Sequence, residues 1–337
     1  MRVVRTVLGD IDPKDLGVTD AHDHLIRTGG PEVLKDHDFL MDNVDKAVQE
    51  AQYFATGGGK AIVDMGAVTL GRDIRKLLEV ARRAPVHIIA STGFHMAEFY
   101  DTRIHWVVKY SVDQIVEFLV ADVREGIDIH DYMGPIVERS KAKAGVIKVA
   151  TSYGHIAPFE LKAIQAVALA QKETGALIST HTQFGTMALE QLELLKKYGA
   201  NPERIVVGHV QRNPDLWYHK KIAAAGASVM YDGAYRVKYY PDSSRVELIQ
   251  GMIKSGYGKQ IVLGVDAGRA SYQKAYGGGV GIDYDVTVFL PRLREEGIAE
   301  EAIRDIFVPR RGGMEYLPRR GGMEYLHNPA RLFAMEA

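Results

Sequence analysis

The residues best suited to chemistry are histidines and an aspartate that end short apolar runs. His22 and His24 stand two apart at the end of the first run, and the period-two alternation of a strand would place both imidazoles on one face. Two imidazoles converging on one point is a metal-ligand geometry. The plain alternative is a hydrogen-bonded pair at a strand end. His181 closes ALISTH, His209 closes RIVVGH and Asp266 closes IVLGVD. Any one of them alone reads as a satisfied polar residue of the core. Four histidines and an aspartate, all at strand ends, call for a cation, because the cluster would otherwise bury polar groups without partners. Lys148 interrupts the apolar run AGVIKVA, where a charged ammonium is costly. It either pairs with a carboxylate or snorkels to the surface, or it is a neutral amine that has reacted with carbon dioxide. The resulting carbamate is an anion able to bridge two cations, which would stabilise it in turn.

The elements that must position these residues alternate along the chain. Val- and Ile-rich runs at 18–22, 61–66, 86–91, 145–149, 176–181, 204–209, 227–231 and 261–265 read as buried parallel strands. Helix-like segments lie between them, among them 42–55, 71–83, 158–173, 186–199 and 283–296. In 186–199, Ala188, Leu192 and Leu195 share one helical face and Gly199 marks the stop. Eight strand–helix units predict an α/β fold, a (β/α)8 TIM barrel of amidohydrolase type, in which the C-terminal strand ends share one rim. No internal stretch has the composition of a linker, so residues 1–337 read as one barrel domain. The segment 92–111 is the candidate active-site loop or lid. The nonapeptide PRRGGMEYL occurs twice, at 309–317 and 318–326. Two copies are too few for a solenoid, and the Arg- and Gly-rich composition reads as an inserted, exposed loop.

Composition narrows the function classes. The chain has 337 residues, 46% hydrophobic and 25% charged, with a formal net charge of −1. No global field draws it to nucleic acid or an anionic membrane. Without cysteine there is no disulfide framework, thiolate zinc site or cysteine nucleophile. Asp and Pro interrupt the N-terminal stretch before any long apolar run, so no signal peptide is expected, and no apolar stretch approaches a membrane span. The expectation is a soluble cytoplasmic protein.

The order H-x-H, Lys, His, His, Asp resembles the phosphotriesterase-like branch of the amidohydrolase superfamily. The pieces that carry the resemblance are Gly17-Val18-Thr19-Asp20-Ala21-His22-Asp23-His24-Leu25, Ala144-Gly145-Val146-Ile147-Lys148, Gly208-His209 and Asn328-Pro329-Ala330-Arg331. The resemblance runs from Gly17 to Phe333. It implies two divalent cations, with His22, His24 and Asp266 on the more buried one and His181 and His209 on the more exposed one. It also implies a carboxylated Lys148 and a hydroxide between them, Asp266 as proton carrier, and a homodimer. Zinc heads the candidate metals, and manganese, cobalt or iron suit the same ligands. The chain departs from the family pattern in three places. Asp23 stands where many members have Glu, the run after His209 is Val210-Gln211-Arg212-Asn213 without an early Asp, and Thr92-Gly93-Phe94-His95 lacks the Tyr of some lactonases. These differences turn the expectation away from simple acyl-homoserine lactones and organophosphates.

The loops after the last two strands are cationic, and in this barrel type they often bind phosphate. Lys238, Arg269 and Tyr272, with Arg236, are the expected phosphate contacts, Arg offering a fork and Lys a point charge. The pattern looks like the subgroup that hydrolyses phosphorylated sugar lactones, where a remote phosphate would orient the reacting end. Gly277-Gly278-Gly279 is expected to add flexibility and lacks the order of a dinucleotide fingerprint. His95, His105 and His155 are expected near the entrance. The competing readings are a phosphotriesterase or carboxylesterase acting on neutral esters, and a catalytically silent metal-binding homologue.

Overall fold

The structure, a computed structural model, describes residues 2–307 and 328–337. The duplicated nonapeptides at 309–326 lie outside the described residues. Strands β1 (Arg2–Thr6), β2 (Gly9–Ile11) and β11 (Ala334–Glu336) form a small antiparallel sheet. The eight strands expected from the apolar runs are β3 (Thr19–Asp23), β4 (Ala61–Asp64), β5 (His87–Gly93), β6 (Ala144–Thr151), β7 (Leu177–Thr182), β8 (Ile205–Gly208), β9 (Ser228–Tyr231) and β10 (Ile261–Leu263). They are parallel and neighbour one another in chain order. Helices follow the strands on the outside, so the fold is the expected (β/α)8 barrel.

Alternation along each strand divides the core in two. Val63, Ile89, Val146, Leu177, Val206, Met230 and Val262 point into the barrel and pack with Val4, Leu16, Leu332 and Phe333. These last four come from the small sheet and the chain ends, and they plug the N-terminal mouth. Ile62, Ile88, Ile147, Ile178 and Val207 point outward into the layer shared with the helices. Burial on both faces is why the strands read as continuous apolar runs. Lys148 follows Val146 by two and is therefore directed inward, one layer higher.

Local sequence explains the outer helices. In Ile74–Arg83, Ile74, Leu77, Val80 and Ala81 are buried, and the Asp73 side chain accepts from the Arg75 and Lys76 amides. The expected face Ala188, Leu192 and Leu195 is buried in Ala188–Lys197. The segment expected as helix 283–296 begins instead as a π-turn, Asp285–Phe289, before Leu290–Glu295. Pro291 has no N–H for the carbonyl of Thr287 and its ring crowds that carbonyl, which a wider turn relieves.

Barrel closure is unusual and lies under the site. β10 and β3 share no ladder. Asp266 N donates to His22 O at 2.8 Å, Val265 N to Asp20 Oδ1 at 3.4 Å and Ala267 N to Asp23 Oδ1 at 3.1 Å. A register irregularity between Asp20 and Asp23 turns the chain, so that Ala21 packs inside while His22 and His24 also face inward above it.

Candidate metal centre and substrate pocket

At the C-terminal rim, His22, His24, Lys148, His181, His209 and Asp266 line one cavity of about 200 Å³. A larger groove of about 1410 Å³ runs beside Val112–Arg124 but shares none of these residues. His22 Nε2 and His24 Nε2 each lie 3.7 Å from Asp266 Oδ1. The His181 and His209 rings are 4.4 Å apart, and His209 and His22 5.0 Å apart. Sequence-distant strand ends thus bring four imidazoles, an amine and a carboxylate together.

Two of these residues sit in strained backbone. His209 (φ 61) and Asp266 (φ 52) are left-handed without being glycine, a conformation held only where the surroundings impose it. For His209 the restraint is Asp232, whose Oδ2 accepts the His209 amide at 3.0 Å while Oδ1 meets Nδ1 at 2.7 Å. That bond places the ring proton on Nδ1 and leaves Nε2 as a lone pair for a cation. Gln211 also donates to Asp232 Oδ1 at 3.0 Å. With both oxygens engaged, Asp232 orients His209.

Burial lowers the pKa of His22, His24, His181 and His209 well below the usual imidazole range, so all four are neutral donors. Burial also pushes Lys148 down to about 8, and its Nζ donates to Met65 O at 3.0 Å. Burial alone would raise Asp266, but the guanidiniums of Arg236 first and then Arg212 hold it well below the ordinary carboxylate value. The geometry agrees, because Arg236 Nη1 and Arg212 Nη2 reach Asp266 Oδ2 at 2.8 and 3.2 Å. The carboxylate is therefore divided, with Oδ2 held by two guanidiniums and Oδ1 turned toward His22 and His24. Neutral nitrogens, an ionised carboxylate and a lysine near its neutral form make a donor set that fits divalent cations.

The expected phosphate contacts, Arg236, Lys238, Arg269 and Tyr272, line the same cavity. Lys238 Nζ lies 3.2 Å from Tyr272 Oη, and the Arg236 guanidinium lies 4.9 Å from the Tyr272 ring centroid. Arg269 lines the same cavity but is already paired through Nη1, with Asp36 at 2.5 Å and Asp38 at 3.4 Å, and it stacks 3.9 Å over Phe39. Arg236 spans both regions, bonded to Asp266 and stacked on Tyr272. The glycines expected to loosen this loop tighten it. A Cβ at Gly278 or Gly279 would lie 2.5 Å from Ser271 O or 2.1 Å from Tyr272 O, so the chain folds back against the residues that present Tyr272.

Of the three histidines expected at the entrance, only His95 lines the cavity, its ring 4.6 Å from His181. His105 is bonded to Thr69 Oγ1 at 2.9 Å, and His155 is exposed and bonded to Tyr153 O. Segment 92–111 contributes His95, Met96, Glu98 and Phe99 to the mouth. Asp232, Arg212, Gln183, Asp36 and Asp38 were not singled out from sequence. Each acts through a partner distant in the chain or, for Gln183, through the His181 ring at 2.9 Å.

A parallel eight-stranded barrel with buried histidines and a carboxylate at its C-terminal rim defines a hydrolase-type barrel with candidate metal-binding groups. The phosphotriesterase family model matches residues 2–311, and the chain belongs to that family, hydrolases acting on ester bonds. It is 46% identical over 321 residues to a phospho-furanose lactonase of Mycoplasmopsis synoviae, covering 92% of this chain and 91% of that protein. A crystal structure of an amidohydrolase from Mycoplasma synoviae superposes with a TM-score of 0.92 at 43% identity, covering 99% of this chain and 92% of the other. That of a lactonase from Listeria monocytogenes superposes with a TM-score of 0.87 at 32% identity, covering 99% and 100%. Among the described residues no helix is long and apolar enough to cross a membrane.

Proposed function

We propose that the protein is a metal-dependent lactonase that opens a small sugar 1,4-lactone carrying a phosphate. His22, His24 and Asp266 would hold one divalent cation, zinc first among candidates, and His181 and His209 the other. Lys148, carboxylated by carbon dioxide, would lie between them. When bound, such a pair supplies hydroxide at neutral pH and polarises the acyl oxygen.

The observation that carries the substrate assignment is the charge of the cavity wall. In the proposed state Arg27, Arg212, Arg236, Lys238 and Arg269 line it against Glu32, Glu98, Asp266 and the Lys148 carbamate. Cations would add to that excess, so a neutral apolar ester would leave it uncompensated, whereas a phosphate dianion offsets it. Lys238, Tyr272 and the free nitrogens of Arg269 are suited to the phosphate, and the lactone ring would then meet the histidine side. Binding energy from the remote phosphate orients the reacting carbonyl. Asp266 Oδ1, the oxygen the arginines leave free, can take a proton from water and return it to the leaving oxygen. The names of the relatives support the same reading, which carries with it a cytoplasmic homodimer, to be checked by fractionation and sedimentation.

The test is hydrolysis by metal-loaded protein of matched sugar lactones with and without a 5-phosphate, beside a neutral organophosphate ester. The expected result is a kcat/KM at least about tenfold higher for the phosphorylated lactone. Equal or faster turnover of the neutral compounds would sink the substrate assignment.

A further inference from the structure

Breaking an acyl–oxygen bond places negative charge on two oxygens, the carbonyl oxygen and the leaving oxygen. The histidine–lysine–aspartate cluster answers the first. Lys238, Tyr272 and Arg269 are assigned by the proposed function to the phosphate end of the substrate, and Arg212 and Arg236 are tied to Asp266. His95 is left over, a polar ring in the cavity with no part in either group.

His95 is held from several directions. Strand β5 ends at Gly93 (φ +101), where a Cβ would lie 2.1 Å from Lys148 O, and Phe94 N donates to that same carbonyl at 2.9 Å. The His95 amide donates to Tyr100 Oη at 3.0 Å, and Tyr100 Oη donates in turn to Val68 O at 3.2 Å. The ring is flanked by Phe99 at 4.8 Å and His181 at 4.6 Å between centroids. The Met96 amide donates to His95 Nδ1 at 2.7 Å. A ring nitrogen that accepts a hydrogen bond carries no proton, so the imidazole is neutral and its proton is on Nε2. Among the described residues Nε2 has no hydrogen-bond partner.

We propose that His95 is a further catalytic residue, a fixed neutral N–H donor that stabilises the leaving oxygen as the lactone opens. Water adds across the acyl C–O bond: its oxygen joins the acyl carbon, and the ring oxygen leaves with the bonding pair and takes the proton that water has lost. His95 keeps its own proton, because a neutral imidazole surrenders it far less readily than it shares it. The packed ring is already in place, so no reorganisation is needed as charge develops.

The proposal rests on the ester-hydrolase reading, and the test separates the two. Wild type, His95→Phe and His95→Gln, each with its metal content measured, are compared on a phosphorylated sugar lactone. The same proteins are compared on open esters of one acid whose leaving alcohols run from alkyl to p-nitrophenol. His95→Phe is expected to lower kcat on the lactone and alkyl esters about 100-fold and on the p-nitrophenyl ester by less than about threefold, because a good leaving group needs no donor. His95→Gln, which keeps an N–H, recovers part of the loss. A uniform loss across the series, a loss that tracks metal content, or unchanged lactone turnover would overturn the role of His95. Wild type that hydrolyses the open esters but no lactone would overturn the substrate reading instead, and the ester series would still report on His95.

Discussion

Lys148→Met tests the buried lysine in two opposite directions. The side chain is 2% exposed, and burial lowers its pKa from 10.5 to about 8. At 1.36 kcal/mol per unit, that shift means the folded, metal-free protein pays roughly 3 kcal/mol to keep the ammonium charged. The unfolded chain holds this proton up to about pH 10.5 and the folded chain only to about pH 8, so between those values the unfolded state binds more protons and stability rises with pH. Below pH 8 the whole penalty is present. Methionine has nearly the same volume and no charge, and only the bond to Met65 O is lost. Metal-free Lys148→Met is therefore expected to be more stable than metal-free wild type at pH 7 by up to roughly 3 kcal/mol, the difference fading toward pH 10.5. The metal-loaded comparison should reverse, because methionine cannot become a carbamate. Metal content should fall, and turnover should drop to about one hundredth or less. At pH 7 a pKa of about 8 leaves about 9% of the amine neutral, against about 0.03% at 10.5, so reaction with carbon dioxide is favoured roughly 300-fold. Reconstitution with metal should then accelerate with added bicarbonate. Urea melts at pH 7 and 10 and metal analysis of both proteins decide the matter. A fully metallated, active Lys148→Met refutes the carbamate, and a metal-free variant no more stable than wild type refutes the buried ammonium.

Three further substitutions probe the walls of the site. Arg269→Ala is expected to raise KM for phosphorylated lactones about 10-fold or more while leaving that for unphosphorylated ones nearly unchanged, since it removes a cation and bares Asp36 and Asp38. Equal effects on both substrates would argue against a phosphate contact. Asp232→Asn removes the anion that fixes the His209 tautomer and should weaken metal affinity about 10- to 100-fold, read by competition with a chelator. Unaltered affinity would leave Asp232 without that role. Arg236→Met removes the largest charge that lowers the Asp266 pKa, so the acid limb of the pH–kcat profile should move to higher pH. An unmoved acid limb would mean that Asp266 does not set it.

What was legible in the sequence follows from what each element needs. The eight barrel strands are buried on both faces, which writes itself as short Val- and Ile-rich runs, and four of those runs end in the residues that meet in the cavity. The small antiparallel sheet was not legible. β2 and β11 have three residues each, too few for a pattern, and β1 pairs with β11 across the length of the chain. That His22 and His24 share one face was expected from alternation, but their inward direction also required the irregularity between Asp20 and Asp23. Roles set by distant partners left no local trace. Arg269 reads as a free loop cation until Asp36 and Asp38, more than 230 positions away, are seen beside it. His95, His105 and His155 look equivalent in sequence, and only the packing of Tyr100, Phe99 and His181 around the first sets it apart.

The seam between β3 and β10 joins stability to function. Asp20 Oδ1 accepts the amides of His22 at 3.0 Å and Val265 at 3.4 Å, and Asp23 Oδ1 those of His24 at 2.7 Å and Ala267 at 3.1 Å. Together with the bond from the Asp266 amide to His22 O, these close the barrel. The groups that close it are thus the backbone of His22, His24 and Asp266 or of their direct neighbours. An ordinary ladder would hold these amides at strand spacing and in strand conformation, which would forbid both the left-handed Asp266 and the inward turn of two nearby histidines. Carboxylates adapt where a ladder cannot. The cost is two buried carboxyls, Asp20 and Asp23, which hydrogen-bond to each other through their side chains, and burial raises the pKa of both. The seam in this form leaves the side chains of His22, His24 and Asp266 facing one cavity, an arrangement that an ordinary ladder would not allow.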